Sequence, residues 1–426
     1  MSIGPKSFAP ILATAFVVWP IMAYMGAQGF TGSVAIAALI GLAFVRVQTV
    51  KVYAVAGIAF TLWVVASTFW APESKDLLTG NLLAGSFSMD MPGIRFGLTA
   101  LAGLGVMVAI GSVVQGSARI SLNVIFAAII IQFIGVVVTA LFMPQILRLL
   151  APFSDPVSEM PQNLMRNANA FAMLLPILLA WLWFGQDTAP RGKLIAVAVA
   201  IMTVIALAQT GTQSAMFGVI LMVLCMAVVR FAPQNGFKII FSTLAFYIVS
   251  APALIGWGVT QLRVSGVPLP KSFFSRTYSW ELVGSKIGDA PMIGHGPEAS
   301  QIWRDTFGDH PEWLSDAATR YGDAYAWEIY RVVPIHPHNM PLQVWAETGM
   351  VGAILAAVFL FLVGWRIKAP QEWSRTALYA AAGLIGMCTA ICSFAYSMWN
   401  EAYWASVVLA AALVLLISRH RGWPQS

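Results

Sequence analysis

The sequence predicts an all-α, polytopic membrane bundle of about twelve transmembrane helices with one large, partly helical loop. Two features of its composition and one of its charge pattern predict this. Of 426 residues, 59% are hydrophobic and only 10% are charged, and mean hydropathy is +0.77. A soluble globular chain carries about 25% charged residues, so this one lacks the polar surface to remain in water. Stretches such as 120–144 and 376–395 hold no charge. They meet the roughly 20 apolar residues needed to cross a hydrocarbon core of about 30 Å.

Twelve spans follow from hydropathy: 9–28, 31–45, 52–71, 96–115, 120–144, 169–185, 193–209, 213–230, 238–259, 341–365, 376–395 and 402–418. The first begins after a single Lys6, and no small-residue cleavage site follows a short apolar core. It reads as a retained helix. With the N-terminus in the cytoplasm, the inside segments hold 13 bases and two acids, Asp187 and Glu372. The outside holds 11 bases and 16 acids, counting Glu347 near the outer end of the tenth span. Every short inside loop carries a base, so the positive-inside rule places both termini in the cytoplasm. The net charge of +6 and pI near 9.3 report this orientation. The bases are scattered between apolar segments and build no nucleic-acid-binding face.

Three outside segments are long: 72–95, 145–168 and about 260–340. The chain therefore divides into 1–259 (nine spans), 260–340 (the large loop) and 341–426 (three spans and a cytoplasmic tail). In the loop, Trp280, Val283 and Ile287, then Trp303, Phe307 and Leu314, then Tyr321 and Tyr325 recur near helical spacing. Helices on or near the membrane surface fit that pattern. A loop of this length between membrane helices is usually functional. Its Trp303, Trp313 and Trp327 are suited to stacking on sugars or to anchoring at headgroups. Cys225, Cys388 and Cys392 all fall in apolar spans, and the loop has no cysteine to hold it together. The Cys388/Cys392 pair reads as small apolar packing.

The richest chemistry lies at Arg331-Val-Val-Pro-Ile-His336-Pro-His338-Asn339-Met-Pro341-Leu-Gln343-Val-Trp-Ala-Glu347-Thr-Gly349-Met-Val-Gly352. Pro341 suits a first helical turn and Asn339 is placed to cap it. Gln343 and Glu347 share one face below the histidines. An ionisable Glu347 at the mouth of a membrane helix is costly unless it meets polar groups. His338 is thus presented at a water-facing rim, a seat for a general base. A metal held by the His336-x-His338 pair, with His295 or His310 added, is an alternative that lacks the accompanying carboxylate spacing. Interfacial histidines of no special role are the plainer one.

His338-Asn339 followed by Gly349-x-x-Gly352 resembles the signature of the bacterial O-antigen ligase family, whose superfamily also holds O-antigen polymerases and protein O-oligosaccharyltransferases. Arg276-Thr-Tyr-Ser-Trp280 with Pro291-Met-Ile-Gly294-His-Gly296 resembles that family's Arg, Trp and Gly-x-Gly stretch. Arg166-Asn-Ala-Asn169 resembles the entry to one of its middle helices. Thr210-Gly-Thr-Gln213-Ser214 departs from the family in having Gln213 where many relatives have Arg. The similarity spans about 166–355.

The resemblance implies a GT-C-like, metal-independent glycosyltransferase of the inner membrane, inverting, without cofactor, and acting at the periplasmic face. Its donor would be O-antigen on undecaprenyl pyrophosphate and its acceptor a sugar hydroxyl of lipid A–core, with membrane lipids around it. It implies His338 as general base and arginines on the pyrophosphate: Arg276 and Arg166 first, then Arg331, Arg320 and Arg95. Asn169, Asn339, Gln343, Glu347 and His336 complete the expected substrate-binding set. Headgroup anchoring is the bland alternative for any one arginine. Polymerase and protein-glycosylating ligase share this donor and chemistry. A secondary transporter, the alternative from another class, requires paired charges near mid-membrane, and the spans hold almost none.

Overall fold

A computed structural model describes residues 8–26, 29–44, 51–71, 91–111, 113, 118–150, 159–185, 189–367 and 372–419. Fifteen α-helices run in order among them. They are α1 (Ala9–Tyr24), α2 (Gly29–Gly41), α3 (Val52–Ser67), α4 (Pro92–Gly111), α5 (Arg119–Leu150), α6 (Glu159–Phe184), α7 (Ala189–Gln209) and α8 (Gln213–Phe231). After these come α9 (Gly236–Val264), α10 (Lys271–Asp289), α11 (Pro311–Tyr321), α12 (Ala324–Glu328), α13 (Met340–Arg366), α14 (Arg375–Phe394) and α15 (Glu401–Ser418). Among the described residues the only extended pairing is an isolated bridge between Thr306 and Arg331. Ten helices, α3–α9 and α13–α15, are long and apolar enough to cross a membrane, and the shorter α1 and α2 are also apolar. The protein is an all-helical, polytopic membrane protein.

Leu194, Ile201, Ile205 and Phe246 stand exposed along α7 and α9, a surface suited to lipid tails. Of α6's apolar stretch 78% is buried, against 22% for α9. That makes α6 central, with α14 packed against both it and α8. The expected start of this helix at 169 is ten residues late, because Asn163 and Arg166 lie on helical turns and not before them. The 145–168 segment expected as a loop is likewise largely helical, since α5 continues past Pro144 to Leu150. It does so with a kink at Phe142 (φ −123°, ψ 26°), a break of the kind a proline imposes on the preceding turn. Most of the 72–95 segment lies outside the described residues.

Residues between α9 and α13 build a second core. Trp280, Val283 and Ile287 form the buried face of α10, as their spacing predicts, against Phe307, Trp327, Val332 and Val333. Ala251 and Val259 of α9 and Leu342 and Ala346 of α13 complete this core. The loop is therefore fused to the helix ends beneath it. Trp303 and Trp327 are buried here, and Trp313 lies half-buried with its ring against Tyr278. These tryptophans hold the loop together and do not form an open sugar- or headgroup-facing surface. Tyr325 is exposed.

Candidate active site

The helix that carries the His-Asn motif is broken, and the break organises the site. Gly349 adopts φ 68°, ψ −172°, a region open essentially to glycine alone. In an unbroken helix the N–H groups of Met350 and Val351 would bond to the carbonyls of Ala346 and Glu347. Here Met350 N donates to Pro291 O (2.9 Å) and Val351 N to Met292 O (3.2 Å). The freed carbonyls accept from His295 N (2.9 Å) and Gly296 N (2.8 Å). Trp63 Nε1 takes the Thr348 carbonyl at 2.8 Å. The Pro291–Gly296 segment is thus inserted into the gap and supplies partners for these four backbone groups. A Cβ on Gly349 would lie 2.3 Å from Met292 O, and one on Gly294 (φ 70°) would lie 2.6 Å from Gly349 N. Gly349→Ala is expected to destabilise the detergent-solubilised protein by about 2 kcal/mol. An unchanged thermal midpoint for the variant would mean the gap is not held this tightly.

One turn above the break, Glu347 and Gln343 form a buried polar knot. The Glu347 carboxylate is fully buried and accepts from Glu298 N (2.7 Å), Ser300 N (3.2 Å), Gln343 Nε2 (3.3 Å) and Trp399 Nε1. Gln343 Oε1 accepts from Met398 N at 2.8 Å and from Ser397 Oγ at 3.3 Å. These two side chains tie α13 to the loop at 298–300 and to the turn between α14 and α15. At the helix start Asn339, also fully buried, caps Leu342 N at 3.0 Å and has its amide near Tyr247 Oη and Ser393 O, both at 3.4 Å.

His338 has φ 54°, left-handed for a residue with a side chain. Its backbone N–H donates to His336 Nδ1 (3.1 Å), and the two rings lie 4.1 Å apart. Nδ1 of His338 sits 2.9 Å from Ala395 O. A carbonyl only accepts, so this bond assigns the proton to Nδ1 and leaves Nε2 with a free lone pair. Burial, with the nearby Arg276 charge second, pushes the His338 pKa down to about 4. Burial, then His338 and Arg276, pushes His336 down to about 3. Both rings are therefore neutral at pH 7.

Arg276 reaches the same place from α10, which is fixed to the His336–His338 turn by Trp280 Nε1 donating to Pro337 O at 2.9 Å. Arg276, Ser279, Tyr330 and His338 line one small chamber of about 80 Å³. His336 faces a second, larger cavity of about 800 Å³ that also holds Arg95, Arg166 and Gln343. Arg95 is paired with Glu401, and Arg166 has Asn163 Oδ1 at 3.3 Å. Its lining combines polar residues, Arg95, Arg166, Ser397 and Asn400, with apolar ones, Phe30, Val34, Leu98 and Met173.

The expected residues therefore divide. His338 and Arg276 meet in the small chamber, while His336, Arg166 and Gln343 line the large one. Asn169 is buried on α6 next to the Tyr396 hydroxyl. Glu347 and Asn339 are enclosed by their partners. Arg331 is exposed beside Thr306 and lines neither cavity, and Arg320 pairs with Asp316 at 2.7 Å. His295 bonds to Lys286 O at 2.8 Å and His310 stacks on Trp313. Among the described residues no three metal-ligating side chains converge. Sequence reasoning missed Ser279, one turn beyond Arg276 on the same face of α10, and Tyr396, Ser397 and Trp399, which no local spacing marks.

A model of the O-antigen ligase family matches residues 191–357. That segment is similar to the O-antigen ligase family. The match runs from α7 into α13, so it contains Arg276, the histidine pair and the Gly349 break, while Arg95, Arg166 and α14–α15 lie beyond it. No curated protein matches the chain significantly. This similarity supports glycosyl transfer of the O-antigen ligase and polymerase type, acting on polysaccharide and lipid-linked substrates in a membrane.

Proposed function

We propose that the chain is an O-antigen ligase of the bacterial inner membrane, transferring O-antigen from undecaprenyl pyrophosphate to a sugar hydroxyl of lipid A–core. The observation that carries this reading is the convergence of a neutral, Nδ1-protonated His338 and the Arg276 guanidinium on one chamber beside an amphipathic cavity. The large cavity, with its apolar lining and Arg166, suits the polyprenyl chain and one phosphoryl group, and the Arg276 chamber suits the other. The acceptor oxygen bonds to the anomeric carbon as the carbon–oxygen bond to pyrophosphate breaks. The hydroxyl proton passes to His338 Nε2, and the electron pair leaves with undecaprenyl pyrophosphate. Direct attack inverts the anomeric centre. The new negative charge is met by guanidinium groups, which contact phosphate oxygens in pairs without a metal. The positive-inside count supports a periplasmic site with both termini in the cytoplasm.

Purified protein supplied with lipid-linked donor and lipid A–core is expected to form ligated product with or without chelator. Elongation of one lipid-linked glycan by another, with no product on lipid A–core, would replace the ligase reading with a polymerase. Arg276→Ala is expected to raise the donor KM by about tenfold or more. Arg276→Lys should restore only part of it, because an ammonium cannot make the paired contact. Equal rescue by lysine would remove the bidentate contact from the mechanism.

A further inference from the structure

Helix α10 presents Ser272, Ser275, Arg276 and Ser279 at spacings of three and four, so all four line the small chamber from one face. Two of the hydroxyls are engaged. Ser272 Oγ donates to Gln213 Oε1 at 3.4 Å and Ser275 Oγ to Ser272 O at 3.3 Å. Ser279 is different: it is 2% exposed, and its Oγ has no hydrogen-bond partner among the described residues. A buried hydroxyl without a partner is costly, and protein interiors rarely keep one. Arg276 poses the same question in charge. It is half-buried, and among the described residues no carboxylate lies within ion-pair distance of it. A desolvated cation with no counterion and an idle donor one turn away together require an anion. The chamber, about 80 Å³, has room for on the order of six waters. A phosphoryl group fits such a space.

We propose that Ser279 is a substrate-binding residue whose hydroxyl donates to a phosphoryl oxygen held by Arg276. The small chamber then receives a phosphoryl group of the lipid pyrophosphate. Trp280, bonded to Pro337 O, keeps this donor in fixed register with His338. The inference rests on the glycosyl-transfer reading above, but it makes a claim about anion binding that needs no turnover to test.

The test uses full-length protein in detergent, comparing wild type with Ser279→Ala and Ser279→Thr. Inorganic pyrophosphate binding is measured by calorimetry, donor and acceptor KM by the ligation assay, and stability by thermal unfolding. Ser279→Ala is expected to weaken pyrophosphate binding and raise donor KM by about tenfold, the factor a hydrogen bond to a charged group contributes. Acceptor KM should not move. Ser279→Thr, which keeps the hydroxyl, should recover part of the binding. Because the alanine variant removes an unpaired buried oxygen, its thermal midpoint should stay level or rise, whereas loss of a structural hydroxyl lowers it. Unchanged pyrophosphate binding and donor KM overturn the proposal, as does an effect confined to acceptor KM. Active wild type with an indifferent Ser279→Ala leaves the ligase reading intact and sinks this inference alone. Wild type that binds pyrophosphate through Ser279 yet transfers no glycan does the reverse.

Discussion

His338→Ala is expected to abolish glycan transfer while leaving the protein folded and inserted. A positioned general base contributes about 10²- to 10⁴-fold, and no second imidazole can substitute. The adjacent His336 has Nδ1 occupied by the His338 backbone N–H, and its ring faces the other cavity. The left-handed backbone of His338 (φ 54°) makes His338→Asn the sharper variant. Asparagine tolerates that conformation better than alanine does and offers no base. Both should be inactive, with Asn the more stable of the two. Normal transfer by either variant would take the base role from this residue.

The pH dependence follows in sign from the geometry. The active form is the neutral ring, so activity falls as pH drops and His338 protonates. Burial and Arg276 hold that step at about 4, below the ordinary 6.5. The acid limb of kcat/KM, which reports the free enzyme, should therefore lie near 4. Bound pyrophosphate offsets the Arg276 charge, so the limb of kcat should lie higher. Arg276→Ala removes a positive charge that disfavours protonation, and it should move the kcat/KM limb upward. A limb near 6.5 in wild-type kcat/KM would mean His338 is open to water in the working enzyme.

Much of this site could be read from its residue types, and the parts that could not are long-range. A histidine before Asn339 and Pro341 at a helix start is a local pattern, and Asn339 does cap Leu342 N. Arg276 and Trp280 are marked by the resemblance of their motif to the O-antigen ligase family, and the structure places both on α10. The function of Gly349 was invisible, because its break is filled by Pro291–Gly296 from the far side of the loop. Apolar spacing placed α10 correctly, but it cannot say whether a tryptophan faces lipid, sugar or a core. Trp303 and Trp327 face a core. Hydropathy started α6 at 169 because Asn163 and Arg166 read as solvent residues. They are polar because Arg166 lines a cavity and Asn163 is its partner.

Glu347→Ala is expected to be the most disruptive single substitution in the loop-facing half of α13. Its carboxylate collects four donors from three separate elements, two of them backbone N–H groups on the 298–300 turn. Truncation leaves those donors buried and unpaired at about 1–3 kcal/mol each, less whatever water can recover. The loss should reach several kcal/mol and appear as a lowered thermal midpoint and reduced amounts in the membrane. Glu347→Gln separates charge from shape. An amide keeps one acceptor oxygen but turns an N–H toward a donor, so it should lose part of the stability and keep the fold. Glu347 lines neither cavity, so in the folded Gln variant donor and acceptor KM should hold near wild type. The consequence should fall on kcat, because the turn that carries Trp399 and Gln343's partner Ser397 is the same turn whose Ala395 carbonyl orients His338. A Gln variant with normal kcat and a raised substrate KM would instead put the carboxylate in contact with sugar.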